Sequence, residues 1–252
     1  ELLDSPTFPE DKLEREREVV RMNLLEQDDS RLHFTMRIFY QHYFGAHPYA
    51  WPSLGRVETL DAIQRDGLVA FAHAALDPAN LVVSVVGGGE NGEVREIVAE
   101  AFGARPARRA AMPPDCPPAT PMIHGDATIL EHRETEAEYV VAGYPGCGLR
   151  EPDMPSLLVI AALLGGTMDS RLFKEIRDKR GLCYQVGASY APRYGHTPLM
   201  LYTVLSPANR NEALRCMEAE IERLKSEPAP EDELRRVKTN IAGQYVMALE
   251  TN

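Results

Sequence analysis

Between Leu163 and Tyr184 the chain reads LLGGTMDSRLFKEIRDKRGLCY, and this run restricts the possible folds more than any other stretch. Gly165 and Gly166 close an apolar helical run that begins near Met154. Asp169 or Ser170 can accept a hydrogen bond from the free amides at the start of the next helix, and Leu172, Phe173 and Ile176 recur at the spacing of a single buried stripe. Gly181 stands where a left-handed residue would end that helix. Beyond it, Leu182, Tyr184, Val186 and Ala188 alternate with their neighbours as a strand does. The run therefore predicts a glycine turn, a short charged helix, a glycine stop and a strand. Arg177 falls on the last helical turns and Tyr184 on the adjoining strand, so the two can face one cleft.

Further elements follow from periodicity. Residues 10–46 read as helical, with two short helical patterns after them through Leu60, Ile63, Leu68, Phe71 and Leu76. Leu81–Val86 is a β-branched run of strand length, and Glu93–Phe102 is helical again. Between Gly103 and Pro121 stand six prolines, Pro106, Pro113, Pro114, Pro117, Pro118 and Pro121, with no apolar period, which marks a semi-rigid linker. The expected organisation is a first region at 1–103, a linker at 104–121 and a second region at 122–252. The second region is predicted to hold strands around Ala127–Arg133, Ala137–Tyr144, Leu182–Tyr190 and Leu199–Leu205. Its helices are expected at Met154–Leu164, Asp169–Arg180, Ala208–Ser226 and from Glu231 onward. Strand-then-helix order recurs in both regions, which suggests a duplicated α+β unit.

Charge narrows the partners. With 38 acidic against 27 basic residues the formal net charge is -11, and no basic stripe is available to replace counterions on phosphate. The charge argues against a nucleic-acid surface, and peptide or protein is the expected partner. Arg105, Arg108 and Arg109, the compact basic group, sit in the linker, where solvation accounts for them. No apolar run approaches the roughly 18 residues of a spanning helix, so no membrane span is expected. Cys116, Cys147, Cys183 and Cys216 are too far apart for a CxxC motif.

At the Gly165–Tyr184 run the chain resembles the inverzincin metallopeptidases, the pitrilysin and insulinase superfamily that includes processing-peptidase subunits. In that family a segment of the form GGxxSRLFxEIRxKxGLxY lies in the domain paired with the zinc domain, and its Arg and Tyr bind the substrate backbone. Arg177 and Tyr184, seven residues apart, match that pair. Glu16-Arg17-Glu18-Val19-Val20 and the loop from His47 to Gly55 match in family order. The resemblance implies an α+β fold of two related α/β sandwich units of the metallopeptidase half-domain type. The first, zinc-type unit is incomplete at its N-terminus, and the second is the peptide-binding, inactive domain, cut at its C-terminus.

The zinc motif of such enzymes, HxxEH, puts two histidines on one helical face with a glutamate between them to activate water. It does not occur here, and none of the seven histidines forms such a pair. The family's third ligand is a glutamate seven residues after another glutamate. Glu16 fits the earlier position, but Asn23 occupies the ligand position, and a neutral amide is a poor zinc ligand. Glu26 lies about 300° around the helix from Asn23 and cannot substitute. The expectation is that this chain binds no metal and carries no catalytic residue alone, with zinc present in the complete or partnered enzyme. The resemblance then implies a subunit that binds extended peptide and lends Arg177 and Tyr184 to a zinc site on a homologous subunit, or within a homodimer. Two alternatives stay open: a complete zinc endopeptidase with HxxEH upstream of Glu1, and a non-catalytic binding or assembly module. A soluble protein of the bacterial cytoplasm or periplasm is expected.

Overall fold

A computed structural model describes residues 6–78, 81–103, 117–122 and 125–250. In chain order the helices are α1 Glu10–Asp29, α2 Arg31–Phe44, α3 Val57–Ala62, α4 Arg65–Ala75 and α5 Asn91–Phe102. They are followed by strand β1 Glu138–Tyr144, helix α6 Met154–Gly165, strands β2 Cys183–Ser189 and β3 Leu199–Leu205, and helices α7 Arg210–Ser226 and α8 Glu231–Glu250. The described residues gather in two compact units, one within 1–26 and 53–116, the other within 27–52 and 117–251. The line between them thus falls inside α1 and again after Pro52, in addition to the Pro-rich segment. Of the expected linker 104–121, residues 104–116 lie outside the described residues.

In the first unit, buried Arg17 turns its guanidinium onto the C-terminal end of α3, donating to the carbonyls of Leu60 and Ile63. Leu60 also accepts from the Ile63 amide, but carbonyls at a helix C-terminus keep spare acceptor capacity, so a cationic donor there both satisfies and attracts them. Leu24, Leu60 and Ala72 are buried. The expected strand Leu81–Val86 does not form: it pairs with no strand among the described residues, and Val82 and Val86 are 91% and 81% exposed. A β-branched run becomes a strand only when a neighbour takes up its amides and carbonyls. Ala127–Arg133, also expected as a strand, is likewise unpaired.

The second unit holds a three-stranded antiparallel sheet in the order β1-β3-β2, so β3 is central and β2 forms one edge. Central β3, LMLYTVL, is buried at every position but Tyr202, which is partly buried, as a strand covered on both faces must be. Leu164, Leu172, Ile176, Leu201, Leu205, Ala213 and Met217 form the core between α6, the segment after it, the sheet and α7. Gly165 sets how closely α6 approaches β2: a β-carbon there would stand 1.9 Å from the Ala188 nitrogen and 2.4 Å from the Gly187 carbonyl carbon. The obstacle is backbone, which cannot swing aside. Gly165→Ala is expected to lower stability by about 1–3 kcal/mol, read from the urea midpoint at unchanged slope; an unchanged midpoint would mean that α6 can lift off β2 freely.

Candidate functional site at the α6–β2 junction

The junction begins where Ser170 accepts a hydrogen bond from the Lys174 amide at 3.0 Å and the chain turns helical at Arg171. Leu172 and Ile176 are fully buried and Phe173 packs partly against the core, as the predicted stripe requires. The side-chain cap expected from Asp169 or Ser170 is not made. Asp169 is held by Lys174 and Arg236, and the Ser170 hydroxyl is buried without a hydrogen-bond partner. Phe173–Asp178 forms a π-helical turn, marked by the Lys179 amide reaching back five residues to the Lys174 carbonyl at 3.0 Å. Gly181, at φ +61°, closes it as expected. The closing bonds run from the Gly181 amide to Arg177 and from the Leu182 amide to Ile176, one residue wider than an α-helical end because of that turn.

Tyr184 departs from the predicted alternation. Cys183 pairs with Leu205 and Gln185 with Val204, so Tyr184 is an extra residue, a bulge on β2. Leu182 and Val186 are buried while Tyr184 is 69% exposed, although strict alternation would place all three on one face. A bulge shifts the side-chain phase by one residue and re-aims the side chain it carries.

Arg177 is exposed, with its guanidinium carbon 4.9 Å from the centre of the Phe173 ring. The other basic residues of this stretch are paired: Lys174 with Asp169, and Lys179 and Arg180 with Glu175 at 2.8 and 2.9 Å. Arg177 alone among them has no carboxylate partner among the described residues. Its charge reaches the first residue of β2, where burial raises the Cys183 thiol pKa and Thr203 and Arg177 work against that rise. The structure therefore brings Arg177 and Tyr184 to one helix–strand junction, both exposed and with no hydrogen bond between them. A guanidinium fork and a phenol offer several donors to a peptide carbonyl. Phe173, expected only as part of the buried stripe, also carries the Arg177 guanidinium on its ring; the i, i+4 spacing of the two residues is the sequence signal for that contact.

Glu16 and Asn23 lie on α1 and both are exposed, as is Glu26. Among the described residues no three His, Cys, Asp or Glu side chains gather as a metal site. With an amide at the expected ligand position and no histidine pair, these residues do not fit zinc. No helix among the described residues is long and apolar enough to cross a membrane.

Comparison with known proteins assigns the fold to a class. The chain superimposes with a TM-score of 0.81 on a protease from Helicobacter pylori, at 22% identity, covering 97% of this chain and 60% of that one. It superimposes at 0.76 on a peptidase M16 inactive domain from Pseudomonas fluorescens, at 23% identity, covering 96% and 58%. The chain thus shares the α+β fold of these two solved structures. More narrowly, the family model of the peptidase M16 inactive domain matches residues 62–241, and the chain belongs to that family. An uncharacterized zinc protease of Mycobacterium leprae is 30% identical over 242 residues, covering 95% of this chain and 54% of its own length. One of Streptomyces coelicolor is 28% identical over 255 residues, covering 99% and 55%. The chain therefore spans about half the length of these curated relatives.

Proposed function

We propose that this chain is the peptide-binding half of a zinc peptidase, seating extended substrate along the free edge of β2 and presenting Arg177 and Tyr184 to its backbone at a zinc site on a homologous subunit. The observation that carries the reading is the state of Arg177: in a stretch where every other cation is paired, it is exposed, unpaired and backed by a ring, next to a tyrosine that a bulge turns outward. An edge strand can accept a peptide as one more strand, which fixes the substrate backbone before any chemistry. The guanidinium and phenol then hold a substrate carbonyl and stabilise negative charge growing on its oxygen. Relatives named zinc proteases support the reaction class. A second reading, with the zinc motif on the same polypeptide, is favoured by those relatives being matched over about half their length; it leaves the role of the pair unchanged.

The test is Tyr184→Phe, assayed with the zinc-bearing partner. The phenol is exposed and makes no hydrogen bond among the described residues, so its removal leaves folding intact while taking one donor from the substrate. Turnover is expected to fall by about tenfold to a hundredfold. Combined with loss of Arg177 the effect falls short of the product, because both act on one substrate. Unchanged turnover would reduce Tyr184 to an ordinary exposed aromatic.

A further inference from the structure

We infer that the loops around Tyr49, at the opposite end of β2 from Tyr184, form a docking surface for an acidic segment of a partner protein. Arg193 lies with its guanidinium carbon 5.0 Å from the ring centre of Tyr49 and 5.2 Å from that of Tyr40. Arg150 lies 5.3 Å from the ring centre of Tyr194. The two pairs are one construction: the Tyr194 amide donates to the Tyr49 hydroxyl at 3.2 Å, and the Leu149 amide donates to the Arg193 carbonyl at 2.7 Å.

A guanidinium laid over a ring keeps its N–H edge free, and that edge matches a carboxylate two bonds at a time. Neither Arg150 nor Arg193 has a carboxylate partner among the described residues, although the chain carries 38 acidic against 27 basic residues. Elsewhere in the second unit Arg37, Arg171, Arg180, Arg210, Arg223 and Arg236 have carboxylate partners, while Arg133 and Arg177 each rest on a single ring without one; Arg150 and Arg193 differ in standing together, on loops joined by hydrogen bonds. In a protein of net charge -11, two ring-backed and unpaired arginines on adjoining loops complement an acidic ligand. Leu149, 52% exposed on the same loop as Arg150, supplies apolar contact beside them, so the fitting partner segment alternates acidic and apolar side chains. The surface is distinct from the Arg177 site: from Tyr184 to Ser189 the strand runs five residues, about 17 Å, before the loop that bears Arg193 and Tyr194.

The probe is a fluorescein-labelled peptide of alternating Glu and Leu, titrated by anisotropy into the 252-residue chain beside a Gln-for-Glu control. The Glu peptide is expected to bind at least tenfold more tightly than the control and to weaken as salt is raised. Arg150→Gln and Arg193→Gln are each expected to remove about tenfold of the Glu peptide's advantage over the control, while Arg177→Gln, at the proposed backbone site, changes both peptides alike and leaves that advantage in place. Arg150 is exposed, lies over the Tyr194 ring and makes no hydrogen bond or ion pair among the described residues, so Arg150→Gln carries the test even if Arg193→Gln disturbs the tyrosines. Equal affinity for both peptides, loss of the Glu peptide's advantage on Arg177→Gln with its retention on Arg150→Gln, or tighter binding to phosphatidylserine vesicles than to the Glu peptide would each overturn the assignment.

Discussion

Arg177→Ala is expected to lower kcat/KM for peptide by about a hundredfold in the assembled enzyme, or about 2.7 kcal/mol of transition-state stabilisation. Stability should hardly move. The side chain is exposed, has no ion pair among the described residues and rests on a single ring, and an exposed cation–π contact contributes only about 0.5–1 kcal/mol. A solvated helix charge removed from such a place would change neither quantity beyond about 0.5 kcal/mol, so activity and stability measured together separate the two readings. Arg177→Lys sharpens the result: lysine keeps the charge but lacks the fork, and should recover only part of the loss. Full activity in Arg177→Ala, with the zinc-bearing partner present, would leave the α6–β2 junction without a catalytic role.

Glu233→Ala is expected to cause the larger change in stability. Arg171 is 6% exposed and is held by both oxygens of Glu233 on α8, at 2.9 and 2.6 Å. Removing Glu233 leaves a buried guanidinium without its carboxylate, in a place where its third nitrogen already lacks a hydrogen-bond partner. Breaking a buried pair from one side costs about 3–5 kcal/mol, a large part of the 5–15 kcal/mol typical of a domain. The same contact has a pH signature. Its hydrogen bond with Arg171 holds the Glu233 carboxyl below its ordinary value of 4.5, against the opposing effect of burial. A carboxylate depressed in the folded state contributes its stability fully above the ordinary value, and that contribution is lost as pH falls through the lowered one. Urea unfolding of the native chain should therefore weaken progressively below about pH 4.5, with Glu233→Ala lacking this increment. Equal midpoints at neutral pH would show that the pair adds nothing.

Much of the second unit was legible because its signals are local. Gly181 closes the helical turn through its own φ angle, α6 and β3 are continuous apolar runs, and α7 carries its buried face at helical spacing. The strands assigned to Leu81–Val86 and Ala127–Arg133 failed for the opposite reason: strand-forming composition is local, but the hydrogen bonds that make a strand belong to a neighbour. The assignment of 27–52 to the second unit is also a matter of packing, carried by Tyr43, Phe44 and Ala50 closing on Ala119, far away in the chain.

At the candidate site the division is sharper. Residue order alone determined that an arginine and a tyrosine flank a glycine-closed turn, that no HxxEH motif is present and that an amide stands at the expected ligand position. Where those two side chains point was decided only by tertiary structure. The π-helical turn adds a residue before Gly181, and the bulge adds one opposite Leu205 and Val204. Each is a one-residue mismatch between segments with their own periods, resolved by how the core around Leu172, Ile176 and Leu205 closes. A period read along the chain carries no record of where such a mismatch is taken up, which is why alternation placed Tyr184 with buried Leu182 and Val186 while the folded protein turns it to solvent.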